Sequence, residues 1–231
     1  MFFFDPMYLL FALPGLLLAL YAQMKVQSAY AKWLQVPNRR GLSGLEAARY
    51  LLSAGQIGDV GVQGIQGKLT DNYDPRSKVL NLSADVANGR TVASVAIVAH
   101  EIGHAMQDAQ HYGPFNARAA IVPAVQIGSW VGPVLFFLGF LLRITPLAWL
   151  GIIAFGATTL FALVTLPVEL NASSRALVML RDNGIVTSEE EAQGAKEVLS
   201  AAALTYIAAL LQSILTLMYY IFLLSGNSRR R

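Results

Sequence analysis

Residues 119–168 read AAIVPAVQIGSWVGPVLFFLGFLLRITPLAWLGIIAFGATTLFALVTLPV, fifty positions with a single charge, Arg143. An α-helix rises about 1.5 Å per residue, so about 20 apolar residues cross a hydrocarbon core roughly 30 Å thick. Fifty are too many for one crossing and suit two. Arg143, with Pro146 close behind, marks a tight turn between spans over about 119–142 and 145–168. Pro123 and Pro133 are expected to bend the first of these.

Outward from this pair, residues 6–24 carry no charge and 201–224 form another apolar run, so four spans are expected. A cleaved signal peptide would need positive charge ahead of its apolar run. Here Lys25 and Lys32 follow it, so the first span is read as retained. Composition agrees. Of 231 residues 55% are hydrophobic and 13% charged, against about 25% charged in soluble domains. The expected class is an α-helical integral membrane protein of about four transmembrane helices with a small α+β region. Its segments are 1–24 (first span), 25–118 (polar region), 119–168 (hairpin of spans), 169–200 (second polar segment) and 201–231 (last span and basic tail).

The chain has no cysteine, which excludes disulfides and thiolate metal ligands. Net charge is +3 and the pI about 9.2, but the basic residues cluster beside apolar segments. That distribution orients a membrane protein, and no nucleic-acid partner is expected. The polar regions after span one and between spans three and four hold thirteen of the seventeen Lys and Arg residues. Both should therefore be cytoplasmic. The terminal Arg229-Arg230-Arg231 argues the other way.

Within 25–118, Val36 to Leu42 reads as a loop, and Ser43-Gly44-Leu45-Glu46 fits a capping box opening a helix to about Ala54. The glycines over 55–67 suggest short strands and turns. Tyr73 to Ser77 is turn chemistry, and residues 78–83 read as a strand. Thr91 is the expected N-cap of a helix ending near Tyr112-Gly113-Pro114. After the third span, Thr187-Ser188-Glu189-Glu190-Glu191 looks like a helix start with solvated acids at the positive end of the dipole.

The helix after Thr91 carries His100-Glu101-Ile102-Gly103-His104. Residues four apart on a helix lie one above the other, so His100 and His104 present two imidazoles to one point, as a tetrahedral zinc ion requires. Glu101, turned about 100° away, could reach a water held there as general base. Two buried histidines beside a glutamate gain nothing in an apolar helix without a partner.

A third protein ligand is needed if water takes the fourth position. His111 lies one residue beyond the position a metzincin would use. Glu169 is the stronger candidate. It sits at the end of the third span, where a lone carboxylate is costly, and the hairpin returns the chain to the side of the histidines. The oxyanion stabiliser is open among Arg118, Arg175, Tyr73 and His111. A substrate peptide could pair with the strand before the motif helix, at Val79, Leu80, Asn81 and Leu82; the same strand could instead only complete a small sheet.

Four groups of residues together carry a family resemblance. They are Val36-Pro37-Asn38-x-Arg40-Gly41-Leu42-x-Gly44; Leu69-Thr70-Asp71-x-Tyr73-Asp74-Pro75-Arg76-x-Lys78-Val79; His100-Glu101-x-Gly103-His104-Ala105-x-Gln107; and Leu166-Pro167-Val168-Glu169-x-Asn171-Ala172-Ser173. Over nearly its whole length the chain resembles the YugP-like neutral zinc metallopeptidases of bacterial membranes. The resemblance implies a zincin-like, gluzincin-type membrane protease of the inner membrane, with His100, His104 and Glu169 on Zn2+ and Glu101 as base. HtpX-like and prenyl-protein proteases share this order, with a supporting acid four residues after the third ligand. Here that residue is Ser173, so Asn171 and Ser173 become the candidates to hold a histidine ring.

The function expected is hydrolysis of peptide bonds in peptides or membrane proteins at the bilayer surface. An intramembrane protease would carry the motif inside a span and a Leu-Asp-Gly ligand, and neither is present. A non-catalytic metal-binding scaffold or assembly partner would close all four metal positions with protein, and no fourth ligand is evident. The sequence leaves open a membrane-protein partner or a homo-oligomer.

Overall fold

The computed structural model describes residues 6–228. Arg229-Arg230-Arg231, whose charge bears on orientation, lies outside the described residues. Seven helices and three strands follow in the order α1 (Pro6–Trp33), α2 (Gly44–Ala54), β1 (Gly61–Ile65), β2 (Asn72–Asp74), β3 (Val79–Ser83), α3 (Ala84–Asn88), α4 (Val92–Ala109), α5 (Gly113–Leu141), α6 (Thr145–Asp182) and α7 (Glu189–Ser228). Four of them, α1, α5, α6 and α7, are long and apolar enough to cross a membrane. The chain divides into two compact units. One comprises residues up to Ala22, Asn116–Pro167 and residues from Thr205 onward; the other comprises Gln23–Phe115 and Val168–Leu204.

In the first unit, backbone groups facing lipid must be satisfied within each helix, which is why the apolar runs are helical throughout. Pro123 and Pro133 both lie inside α5. Helices α5 and α6 meet along a seam of glycines. A Cβ at Gly132 would stand 2.7 Å from the Phe155 nitrogen, and one at Gly128 would meet the Ala154 carbonyl. Small residues let two helices approach backbone to backbone, which replaces the hydrophobic drive that lipid does not supply. Phe136 is fully buried and stacks on Tyr220 at 4.2 Å between ring centres.

In the second unit, α2 opens with the expected capping box. The Ser43 hydroxyl accepts from the Glu46 N–H at 3.2 Å and Glu46 accepts from the Ser43 N–H at 2.7 Å. The preceding loop is closed by Asn38, 2% exposed, which bonds Leu42 through both its amide nitrogen and its oxygen. Gly41 there has φ +63°, a left-handed conformation glycine adopts without cost. The sheet has the order β1-β3-β2, with β1 parallel and β2 antiparallel to β3. Asp74 closes the β2–β3 turn by accepting from the Arg76 N–H and the Ser77 hydroxyl. Leu80, Leu82, Val86 and the apolar residues of α4 are buried in one core with α2.

Three findings differ from the sequence reading. The strand at Val79–Ser83 is central, with both edges paired, so Val79, Leu80, Asn81 and Leu82 have no open edge for a substrate. Strand order depends on long-range pairing, which local alternation does not encode. The outer helices also overrun their apolar segments: α1 continues to Trp33 and α6 to Asp182, so Glu169 lies inside a helix. Helix α6 runs on through Pro167, and a helix once nucleated extends cheaply. Finally, Glu191 is not a solvated acid. It is 2% exposed and accepts from the Arg39, Thr187 and Ser188 N–H groups at 2.7, 3.0 and 3.0 Å.

Candidate metal centre

The Thr91 hydroxyl accepts from the Ser94 N–H and starts α4 as the spacing predicts. The helix places His100, His104 and Gln107 on one stripe, and Glu101 and Asp108 on another. The first stripe faces α6. A Cβ at Gly103 would lie 2.7 Å from the Ala172 carbonyl oxygen, so the glycine inside the motif is what lets α6 come this close.

Glu169, 2% exposed, projects between the histidines. Its Oε2 lies 3.2 Å from His100 Nε2 and 3.4 Å from His104 Nε2. Zinc ligands at about 2.0–2.1 Å in a tetrahedron stand about 3.3 Å from one another. Both distances from Glu169 match that spacing, and all three ligand atoms lie within 4.8 Å of one another. They form the one candidate metal-ligand group of three among the described residues. His111 is not in it; it is exposed, with φ +50°, just past the end of α4.

The far sides of the rings are tied. His100 Nδ1 lies 3.2 Å from Ser173 Oγ, and His104 Nδ1 lies 3.0 Å from Gln107 Oε1. Gln107 is completely buried, and its amide nitrogen donates to the Val168 carbonyl at 2.8 Å and to Asn171 Oδ1 at 2.9 Å. Those two acceptors fix which end of the amide faces His104. The amide oxygen accepts a hydrogen bond from the Nδ1–H, which leaves the Nε2 lone pair directed at Glu169. The donor set thus fits a zinc ion, with His100, His104 and Glu169 as the residues that would hold it.

Ser173 reaches a ring directly. Asn171 acts one step back, through Gln107. The role of Gln107 was not read from the sequence, although its place seven residues after His100 puts it on the histidine stripe. Arg175 donates to Asn171 Oδ1 and Gln110 Oε1, both at 2.7 Å. Its charge is thereby committed to this network. Arg118 belongs to the other unit, 6.0 Å from the Phe161 ring centre.

On the second stripe, Glu101 is 9% exposed and its Oε2 accepts from the Tyr73 N–H of β2 at 2.9 Å. Burial pushes the Glu101 carboxyl above the ordinary range against the pull of the histidines. The Tyr73 hydroxyl, an oxyanion candidate, donates to Asp108 Oδ2 at 2.8 Å. Burial and that carboxylate raise its pKa, so it remains a protonated donor.

Residues 8–225 match the family model described as "Putative neutral zinc metallopeptidase". The chain belongs to that family. It is also 41% identical over 217 residues to "Putative membrane protease YugP" of Bacillus subtilis (strain 168), covering 94% of this chain and 96% of that protein. No solved structure matches it. Family membership and four apolar helices together make it a multi-pass membrane protein of the zinc metallopeptidase class.

Proposed function

We propose that this chain is a membrane-bound zinc-dependent endopeptidase of the HExxH gluzincin type, with His100, His104 and Glu169 as metal ligands and Glu101 as general base. The observation that carries this reading is the convergence of the three donor atoms, Glu169 Oε2 lying within 3.4 Å of both histidine Nε2 atoms, with the remaining ring nitrogens tied to Ser173 and Gln107. Zinc bound there would supply a water of pKa about 7 and polarise the scissile carbonyl. Glu101, raised by burial and adjacent to the ligands, takes the proton of the attacking water and passes it to the leaving amine nitrogen. The Gln107–Asn171 pair holds the His104 ring in the tautomer that keeps its Nε2 lone pair available, and the Ser173 hydroxyl bonds the His100 ring.

The substrates are peptides or membrane proteins at the bilayer surface, and the catalytic unit faces the cytoplasm at the bacterial inner membrane. The charge asymmetry of the polar segments supports that orientation. Glu101→Gln is expected to keep one zinc per chain and lose hydrolysis about a hundredfold or more. Comparative proteomics of membranes holding the wild-type and Gln proteins would reveal the substrates. A Gln variant with near-normal turnover of a labelled casein removes Glu101 from the chemistry.

A further inference from the structure

Strand β2 is three residues long and pairs with β3 on one side only. Alternate residues of an antiparallel strand direct their backbone groups to opposite sides. The Tyr73 N–H that reaches Glu101 therefore points away from β3, so the base is held by the outer side of a three-residue edge strand. Asn72 and Asp71 tie that strand and its approach to β3, and Tyr73 ties it to the helix. It bonds α4 twice, through its N–H to Glu101 and through its hydroxyl to Asp108. Those two residues are seven apart and share a stripe, two turns or about 10.5 Å along the helix. An acceptor that carries charge makes the hydroxyl bond a strong one.

We infer that Tyr73 and Asp108 are positioning residues for Glu101: their hydroxyl–carboxylate bond pins the edge strand to the motif helix, and the pinned strand N–H aims the base carboxylate. A strand free to shift by 1 Å would let that carboxylate swing off the line of proton transfer, which matters far more to turnover than to binding. This rests on the reading of Glu101 as base, yet the pin itself can be measured without catalysis.

The test uses the full chain in detergent, loaded with zinc, with fluorescein-labelled β-casein as substrate. Tyr73→Phe keeps the ring and removes the hydroxyl. It should lower kcat about tenfold with KM within about twofold of wild type, and should retain one zinc per chain. Asp108→Ala should match it, the double variant should be no worse than either single one, and Asp108→Asn, which keeps an acceptor, should recover most of the loss. Hydrogen exchange supplies the second readout. The amide of Tyr73 should exchange about tenfold faster in Tyr73→Phe and in Asp108→Ala than in wild type, with the protection of α4 unchanged. Unchanged exchange at Tyr73 overturns the pin whether or not casein is cleaved. Faster exchange with unchanged kcat, additive losses, or loss of zinc overturns the positioning role. Wild-type turnover that survives Glu101→Gln, with Tyr73 exchange still dependent on Asp108, rejects the base and the aiming while leaving the pin in place.

Discussion

At the scale of single residues, the proposed site separates atoms that would hold the metal from atoms that hold the ligands. Glu169 is nearly inaccessible and stands against both histidines. Purified Glu169→Ala is expected to lose zinc on mild chelation as completely as His104→Ala, read by elemental analysis, whereas His111→Ala should retain it. Gln107→Ala takes away the acceptor of the His104 ring and removes a donor from the Val168 carbonyl and from Asn171 Oδ1. Its zinc affinity should fall about 10- to 100-fold, less than for a lost ligand, by competition with a chromogenic chelator. With Ser173 standing four residues after Glu169, where the resemblance to HtpX-like proteases places an acid, the His104 ring is held by a neutral amide. It polarises the ring less, and it draws its orientation from the backbone of the same helix that carries Glu169.

At the scale of elements, the centre depends on how closely α6 lies against α4. Gly103 is the point of contact, and an added methyl would meet the backbone at Ala172. Gly103→Ala should separate the helices, cost about 1–3 kcal/mol in stability and weaken zinc binding through displacement of Glu169. Thermal melting and metal titration of the same preparation would show both losses; a variant that melts and binds as wild type would show that the helices have slack. The second element is α2, whose capping box draws on an ionised Glu46. The Ser43 N–H and hydroxyl, with Arg90, hold its pKa below the ordinary value of 4.5. A depressed acid stabilises the fold above its unfolded pKa, and that contribution is lost as pH falls through the folded value. The melting temperature of Glu46→Gln should therefore lie below that of wild type at pH 7, and the gap should close on acidification well below pH 4.5.

At the scale of the whole molecule, the prediction is one of topology. The polar segments 25–118 and 175–196 should share one face of the membrane, with Thr145 in the hairpin turn on the other. The absence of native cysteine makes this direct to test. Cysteines introduced singly at Ser77, Ser188 and Thr145 are to be labelled in intact cells with an impermeant maleimide. Thr145 should label, while Ser77 and Ser188 should label only after permeabilisation. Labelling of Ser77 and Ser188 from opposite faces would contradict the proximity of Glu169 to the histidines, because the two sites flank α4 and α6 in sequence.

What could be read along the chain was whatever has a local physical cause. Spans are legible because lipid tolerates only long uncharged helices; the caps at Ser43 and Thr91, because they satisfy donors three residues away; and the pairing of His100 with His104, because a helix repeats every 3.6 residues. Glu169 could be reached because an apolar setting makes a lone carboxylate costly. Tertiary structure alone decided the rest. It set Val79–Ser83 at the centre of the sheet, gave Gln107 to His104, buried Glu191 against the Arg39 loop and brought Tyr73 onto both Glu101 and Asp108. Each of these depends on which distant segments pack together and in what register, and no pattern of neighbouring residues carries that information.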